Sequence, residues 1–350
     1  MAPSTWSAQE PRRYGPVNDA DTLISTTLTH VMNQGMYIAT EKDSSWELCD
    51  YQTIPMTDIR SRIFTNPNRP LNIVTAVARF TWLMAGNNRV EDIAFYEPKV
   101  RNFSDDKLTV PGSDYGLRIF QPRPGLNQIE GVVERLRHSP YSRQAAAVVW
   151  QPEDAVRQSG DIPCTFGMFF RLRPCPDGEH PYALHMTTVM RSNNAFRILP
   201  FNVFEFTMLH ELVAAELGVG LGSYQVWAAS MHAYDNPRET PATRAIADGE
   251  VFKSIRMDPM PQRDASPLGT DPLVCARHLA ILEASLRHAC DEDEYGSIVL
   301  EAFNVLPSYW LDLFGVLAAW GAAKRNWGPQ YSMISNSELR DLTAAVCQKV

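Results

Sequence analysis

Residues 182–218, YALHMTTVMRSNNAFRILPFNVFEFTMLHELVAAELG, change their hydrophobic period partway along. Tyr182 to Ser192 is short and rich in β-formers, and reads as a strand. From Leu199 apolar residues recur at the 3.6-residue period of a packed helix, which Leu217 and Gly218 close. Upstream, PCTFGMFFRLR (163–173) is a second strand, joined to the first by the Pro/Gly/Asp loop PCPDGEHP, so an antiparallel pair is expected. QAAAVVWQP (144–152) and YQVWAASMHAYDN (224–236) read as further strands.

Towards the N-terminus, residues 19–35 read as a helix opened by an Asp and closed by Gly35, and residues 69–88 as a packed helix ending at Gly86. The C-terminal third, with DPLVCARHLAILEASLRHAC and LPSYWLDLFGVLAAWGAA, is mostly helical. Residues 1–20 are polar and proline-bearing, a loosely held arm. No linker interrupts the rest of the chain, so residues 21–350 are expected to form one α/β (α+β) domain. No repeat or low-complexity segment is visible.

A chain of 350 residues with 45% hydrophobic content buries a substantial core. The first residues lack the apolar stretch of a signal peptide, and no run approaches the roughly 18 uncharged apolar residues of a membrane helix. The expectation is a cytoplasmic protein without membrane contact. A net charge of −8 disfavours a nucleic-acid surface, while leaving room for a small anion held by local arginines. Six cysteines lie far apart with no CxxC pair, so neither disulfides nor a metal site is expected. In a reducing compartment each thiol is a small core residue or a reactive group; only Cys164, following Pro163 and heading a strand, has neighbours that argue for the second.

Seven segments carry a further signal in their order: GNN (86–88), DYGLRIF (114–120), SPYSRQ (139–144), DIPCT (161–165), MRSNNAF (190–196), LPFNVFEFTMLHE (199–211) and SMHAYDN (230–236). Together they resemble the thymidylate synthase family, including its pyrimidine nucleotide hydroxymethylase branch, from about residue 35 to 240. The resemblance implies a mixed, largely antiparallel twisted sheet packed with helices, whose sheet forms a homodimer interface. It implies a pyrimidine nucleoside monophosphate as substrate and 5,10-methylenetetrahydrofolate as cofactor. Cys164 matches the nucleophile that adds to C6 of the ring and turns C5 into a carbanion; the alternative is a buried structural thiol. A thiolate near neutrality requires positive neighbours to lower a pKa of about 8.5.

Arg191 and Ser192 match phosphate-binding residues, as does Arg143, which the resemblance assigns to the other subunit's site. Gln144 stands where the family has a second arginine, and only Lys42 is available near residue 42. Asn202 matches the residue that reads the pyrimidine edge, and its carboxamide suits O4 and N3–H of uracil; the alternative is a helix cap. His232 and Tyr234 match groups that bond the sugar, and Tyr115 a group that organises proton removal from C5. Trp82 and Asn194 fall at cofactor-facing positions.

Three departures stand out. Arg79 occupies the position of a catalytic glutamate, Asn194 that of a folate-contacting aspartate, and Val100 that of an indole that shields the one-carbon unit. Loss of the indole favours hydroxymethyl over methyl products; loss of both carboxylates counts against ordinary folate chemistry. Glu91, Glu97 or Asp105 could replace the glutamate from another loop. Arg79 is expected either to point into the cleft and bind the substrate or to turn outward onto an acid. Three functions are expected, in order: C5 one-carbon transfer to a uridine-type monophosphate, folate-independent adduct chemistry on a substituted pyrimidine, and nucleotide binding with catalysis lost. CMP or dCMP hydroxymethylation is an alternative to the first.

Overall fold

The computed structural model describes residues 18–40, 44–175, 178–264 and 270–349. Lys42 and most of the N-terminal arm lie outside them. Helix α1 (Ala20–Gln34) starts where Asp19 accepts a hydrogen bond from the Thr22 N–H, and Ala20 is fully buried. Residues 18–20 therefore belong to the folded body rather than to the arm.

Seven strands form one mixed sheet: β1 (Met36–Ile38), β2 (Ser45–Gln52), β3 (Ala146–Val148), β4 (Thr165–Pro174), β5 (Tyr182–Met190), β6 (Asn193–Asn194) and β7 (Gly220–Tyr234). Their order is β1-β2-β7-β5-β4-β3, with the short β6 also on β7. The expected antiparallel pair is β4 and β5, in register from Gly167↔Val189 to Pro174↔Tyr182, with a shift between Thr165 and Gly167. The strand expected over 144–152 is shorter, because Pro152 opens a 3₁₀ turn and only Ala146–Val148 pairs with β4.

The parallel strands β5 and β7 are joined through α6 (Leu199–Leu217), the crossover that a parallel pair requires. This helix is buried along nearly its whole length rather than along one stripe, because the sheet and other helices surround it. The remaining helices are α2 (Ile73–Ala85), α3 (Val90–Ala94), α4 (Tyr115–Phe120), α5 (Gln128–His138), α7 (Thr240–Ala247), α8 (Pro272–His288), α9 (Glu292–Val305), α10 (Ser308–Arg325) and α11 (Ser337–Cys347). Helices α2, α8 and α10 pack together, tying the helical C-terminal third to the core.

The sheet's other face is open. Trp227, Val189, Gly167 and Val148 lie in one cross-strand row on it, and Trp227, Val148 and Phe169 are each at least 40% exposed. No helix among the described residues is long and apolar enough to cross a membrane.

Two glycines fix how α4 seats. A Cβ on Gly112 would lie 2.0 Å from the Asp161 carbonyl oxygen, and one on Gly116 2.0 Å from that of Leu83 in α2. Gly112→Ala should therefore lower unfolding free energy by about 1–3 kcal/mol. Gly131→Ala, with open space on exposed α5, should raise it by about 0.4–1 kcal/mol. Urea denaturation of the two variants checks the contrast; equal effects would mean that the close approach at Gly112 is not limiting.

Candidate active site

Asp161 is 4% exposed and holds the loop before Cys164. Its carboxylate accepts from the Gly112 N–H at 2.6 Å, the Ser113 N–H at 3.2 Å and the Ser113 hydroxyl at 2.5 Å. This docks the loop on the turn that starts α4, where Asp114 accepts from the Leu117 N–H at 2.8 Å. Tyr115 is thereby brought to the thiol loop, and its hydroxyl oxygen accepts from the Thr165 N–H at 3.3 Å. Its ring stacks on Phe206 of α6, centroids 6.3 Å apart. Burial, reinforced by nearby Cys164, holds the Tyr115 phenol well above its usual pKa, so it is a neutral hydrogen-bonding group.

Cys164 is half-buried. Burial raises its thiol pKa, Arg191 pulls it down, and Asp161 raises it again; the net direction is up. The thiolate-favouring environment expected from the sequence is therefore absent, because desolvation outweighs one guanidinium. Arg191 instead supports the loop: its Nε donates to the Pro163 carbonyl at 2.9 Å and Nη2 to that of Ile162 at 3.0 Å. Two of its five N–H groups are thus committed, leaving others for an anion.

At the carboxyl end of β5, Ser192 faces His232 of β7, Oγ to Nδ1 3.5 Å, and the His232 and Tyr234 rings meet edge to face at 5.2 Å. Burial lowers the His232 pKa, keeping the imidazole neutral. Asn202 lies in the first turn of α6, its backbone N–H already bonded to Ile198, so it is not a cap. Its side chain is 5% exposed and touches Asn193, Nδ2 to Oδ1 3.4 Å.

Asn194 turns the chain into α6. Its Oδ1 accepts from the N–H groups of Phe196 and Arg197, at 3.1 and 2.6 Å. Those donors fix the amide's orientation and leave Nδ2 buried without a partner among the described residues. An aspartate here would offer acceptors; this residue offers a donor. Trp82, half-buried on α2, donates Nε1 to Asn87 of the GNN segment at 3.1 Å. Val100 is 7% exposed and packed in the core, so it leaves no gap at an indole's position.

Arg79 forms a two-pronged pair with Glu97, Nε–Oε2 2.8 Å and Nη2–Oε1 2.9 Å, and lies 5.0 Å from the Phe201 ring centre. Burial opposes its charge, but Glu97 outweighs burial and the guanidinium stays charged. It is neither a free cation nor an outward surface group. Of the three acids that could replace the glutamate, Glu97 reaches Arg79, while Glu91 pairs with Arg89 and Asp105 accepts from Ser159. Arg143 is exposed, with no ion pair among the described residues, and Arg135 donates to Gln144. No cluster of potential metal ligands occurs among the described residues. The acid not foreseen is Glu205, one helical turn beyond Asn202; that i, i+3 spacing was the available signal.

Residues 26–258 match the family model described as thymidylate synthase. The chain is 31% identical over 197 residues to a deoxyuridylate hydroxymethyltransferase of Pseudomonas phage M6, covering 55% of this chain and 54% of the relative. A protein of the same name from Delftia phage PhiW-14 is 27% identical over 223 residues, covering 61% and 58%. The chain thus spans only a little over half the length of these relatives. In fold it is similar to the thermostable thymidylate synthase A of Bacillus subtilis, with a TM-score of 0.55, 19% identity, and coverage of 67% of this chain and 86% of that one. With two-thirds of its length matched by that family model, over a mixed sheet of the same fold, the chain belongs to the thymidylate synthase family.

Proposed function

We propose that the protein transfers a one-carbon unit to C5 of a uridine-type nucleoside monophosphate, giving a hydroxymethyl product, with Cys164 adding to C6. The observation that carries this reading is that Tyr115 and Arg191 both bond to the Pro163–Thr165 segment around Cys164, while Asn202 touches Met190, the residue paired across the sheet with Thr165. The family's typical use of methylenetetrahydrofolate and the names of the phage relatives favour the same chemistry.

In this account the free N–H groups of Arg191 and the Ser192 hydroxyl take the phosphate, while His232 and Tyr234 meet the sugar. The Asn202 carboxamide pairs with the uracil edge. The Cys164 sulfur bonds to C6, its proton departs to solvent, and the C5–C6 electron pair moves onto the C4 carbonyl. Once carbon has bonded at C5, the C5 proton leaves, that carbon's bond to its donor breaks, and the hydroxyl of a water adds to it as the C6–S bond breaks, restoring the ring with a hydroxymethyl group. Methylenetetrahydrofolate, when bound, supplies carbon at the oxidation level of formaldehyde. Asn194 Nδ2 and the Trp82 face would hold its ring system. Trp227, Val148 and Phe169 on the open sheet face fit burial against a second copy, and exposed Arg143 fits contribution to the partner's phosphate site.

Two outcomes test this reading. With 5-tritiated dUMP or UMP and methylenetetrahydrofolate, tritium should be released with a mass gain of one hydroxymethyl group. Cys164→Ser should abolish release while nucleotide binding stays nearly unchanged. Release without folate would favour adduct chemistry instead, and preference for CMP or dCMP would overturn the role of Asn202.

The raised thiol pKa gives the second. Since only the thiolate reacts, iodoacetamide labelling at Cys164, followed by peptide mass mapping, should rise about tenfold per unit between pH 7 and 8. A rate already flat at pH 7 would mean a depressed pKa.

A further inference from the structure

Phe204-Glu205-Phe206 puts a carboxyl group in the interior of α6, 8% exposed, where nothing in the fold uses it. It forms no hydrogen bond among the described residues, and the nearby cation, Arg79, spends both of its charge-assisted bonds on Glu97. A buried carboxyl without bonded partners costs stability, and such groups in native structures call for an explanation. The hydroxyls of Thr165, Thr188 and Tyr224 are fully occluded without a well-formed hydrogen bond, a set that does not include the Glu205 oxygens. They come from the three strands β4, β5 and β7, and Thr165 adjoins Cys164.

We infer that Glu205 is the proton-exchanging group of the site, taking the place of the acid that Arg79 displaces and connected to the reacting ring through Tyr115. The inference rests on the C5-transfer reading above. Glu205 lies on the helix that carries Asn202, one turn further in, and acts electrostatically on Tyr115, itself beside Cys164. When the C5–H bond breaks, its electron pair stays on carbon and the proton passes to the Tyr115 oxygen. The phenolic proton moves on to the Glu205 carboxylate through one water. Tyr115 ends neutral, as it began, and Glu205 ends as the neutral acid.

The groups facing Glu205 are Arg79 of α2, Glu97 after α3, Tyr115 of α4 and Tyr224 of β7. Burial raises its pKa, Arg79 lowers it and Glu97 raises it, bringing it to about 7, so both protonation states are populated near neutrality. Arg79 acquires a role here that does not require it to touch substrate. Held by Glu97, it keeps the Glu205 pKa from climbing beyond a useful range.

The test is the pH dependence of tritium release from 5-tritiated dUMP by the full chain with methylenetetrahydrofolate. Because the Cys164 thiol also ionises over this range, release at each pH is divided by the Cys164 labelling rate; the quotient for wild type should show an acidic limb centred near pH 7, since Glu205 must be ionised to accept the proton. Glu205→Gln, close in shape, should lower release by about 10²–10⁴-fold and lose that limb, with nucleotide binding and the Cys164 labelling rate retained. A wild-type quotient flat from pH 5.5 to 8, or a Glu205→Gln variant with wild-type rate and quotient, overturns the inference and leaves the C5-transfer reading standing. Wild type that releases no tritium from any pyrimidine nucleotide overturns both.

Discussion

The candidate site depends on the clasp made by the Asp161 carboxylate. Three hydrogen bonds from Gly112 and Ser113 fix the loop before Cys164 against the turn that begins α4. Buried bonds to an ionised acceptor contribute roughly 1.5–3 kcal/mol each, so the contact resists thermal opening. The clasp works because Gly112 has no side chain to strike the Asp161 carbonyl and Gly116 none to strike Leu83. Remove either close approach and Tyr115 no longer reaches the Thr165 N–H.

Around that rigid joint the charges are arranged unusually for a nucleophilic site. The thiol is desolvated and protonated at rest, and the guanidinium nearest it supports backbone carbonyls. Arg79 brings positive charge where the family resemblance implies an acid, and Glu97 neutralises it. A buried acid, Glu205 of α6, feels the charge of both members of this pair. On the proposed reading, acid–base work has moved from one helix to another while the nucleophile stayed in place.

Much of this was legible in the sequence. The change of period at Leu199 located α6, and the Pro/Gly/Asp loop after Arg173 located the β4–β5 pair. The sequence did not reveal β1 and β2, whose Glu47 and Asp50 interrupt the apolar pattern of an outlying hairpin. The sequence offered Glu97 as one of three acids from other loops and an acid partner as one alternative for Arg79, but not the pairing of the two, which depends on how the chain returns past α3. Glu205 was missed despite its i, i+3 spacing from Asn202, because a polar residue in a periodic helix reads as solvent-facing, whereas α6 is buried along nearly its whole length. Val100 reads as a missing shield, but its side chain belongs to the core.

The central claim is that Cys164, in the clasped loop, adds to C6 of a uridine nucleotide. A 5-fluoro-substituted deoxyuridine monophosphate tests it most directly, because fluorine cannot leave as a proton and the sulfur–C6 adduct should stall. Protein incubated with that nucleotide and methylenetetrahydrofolate, then digested and weighed peptide by peptide, should carry the nucleotide on the peptide containing Cys164. Adduct on another cysteine, or none under conditions where tritium is released from the unsubstituted nucleotide, would contradict the account.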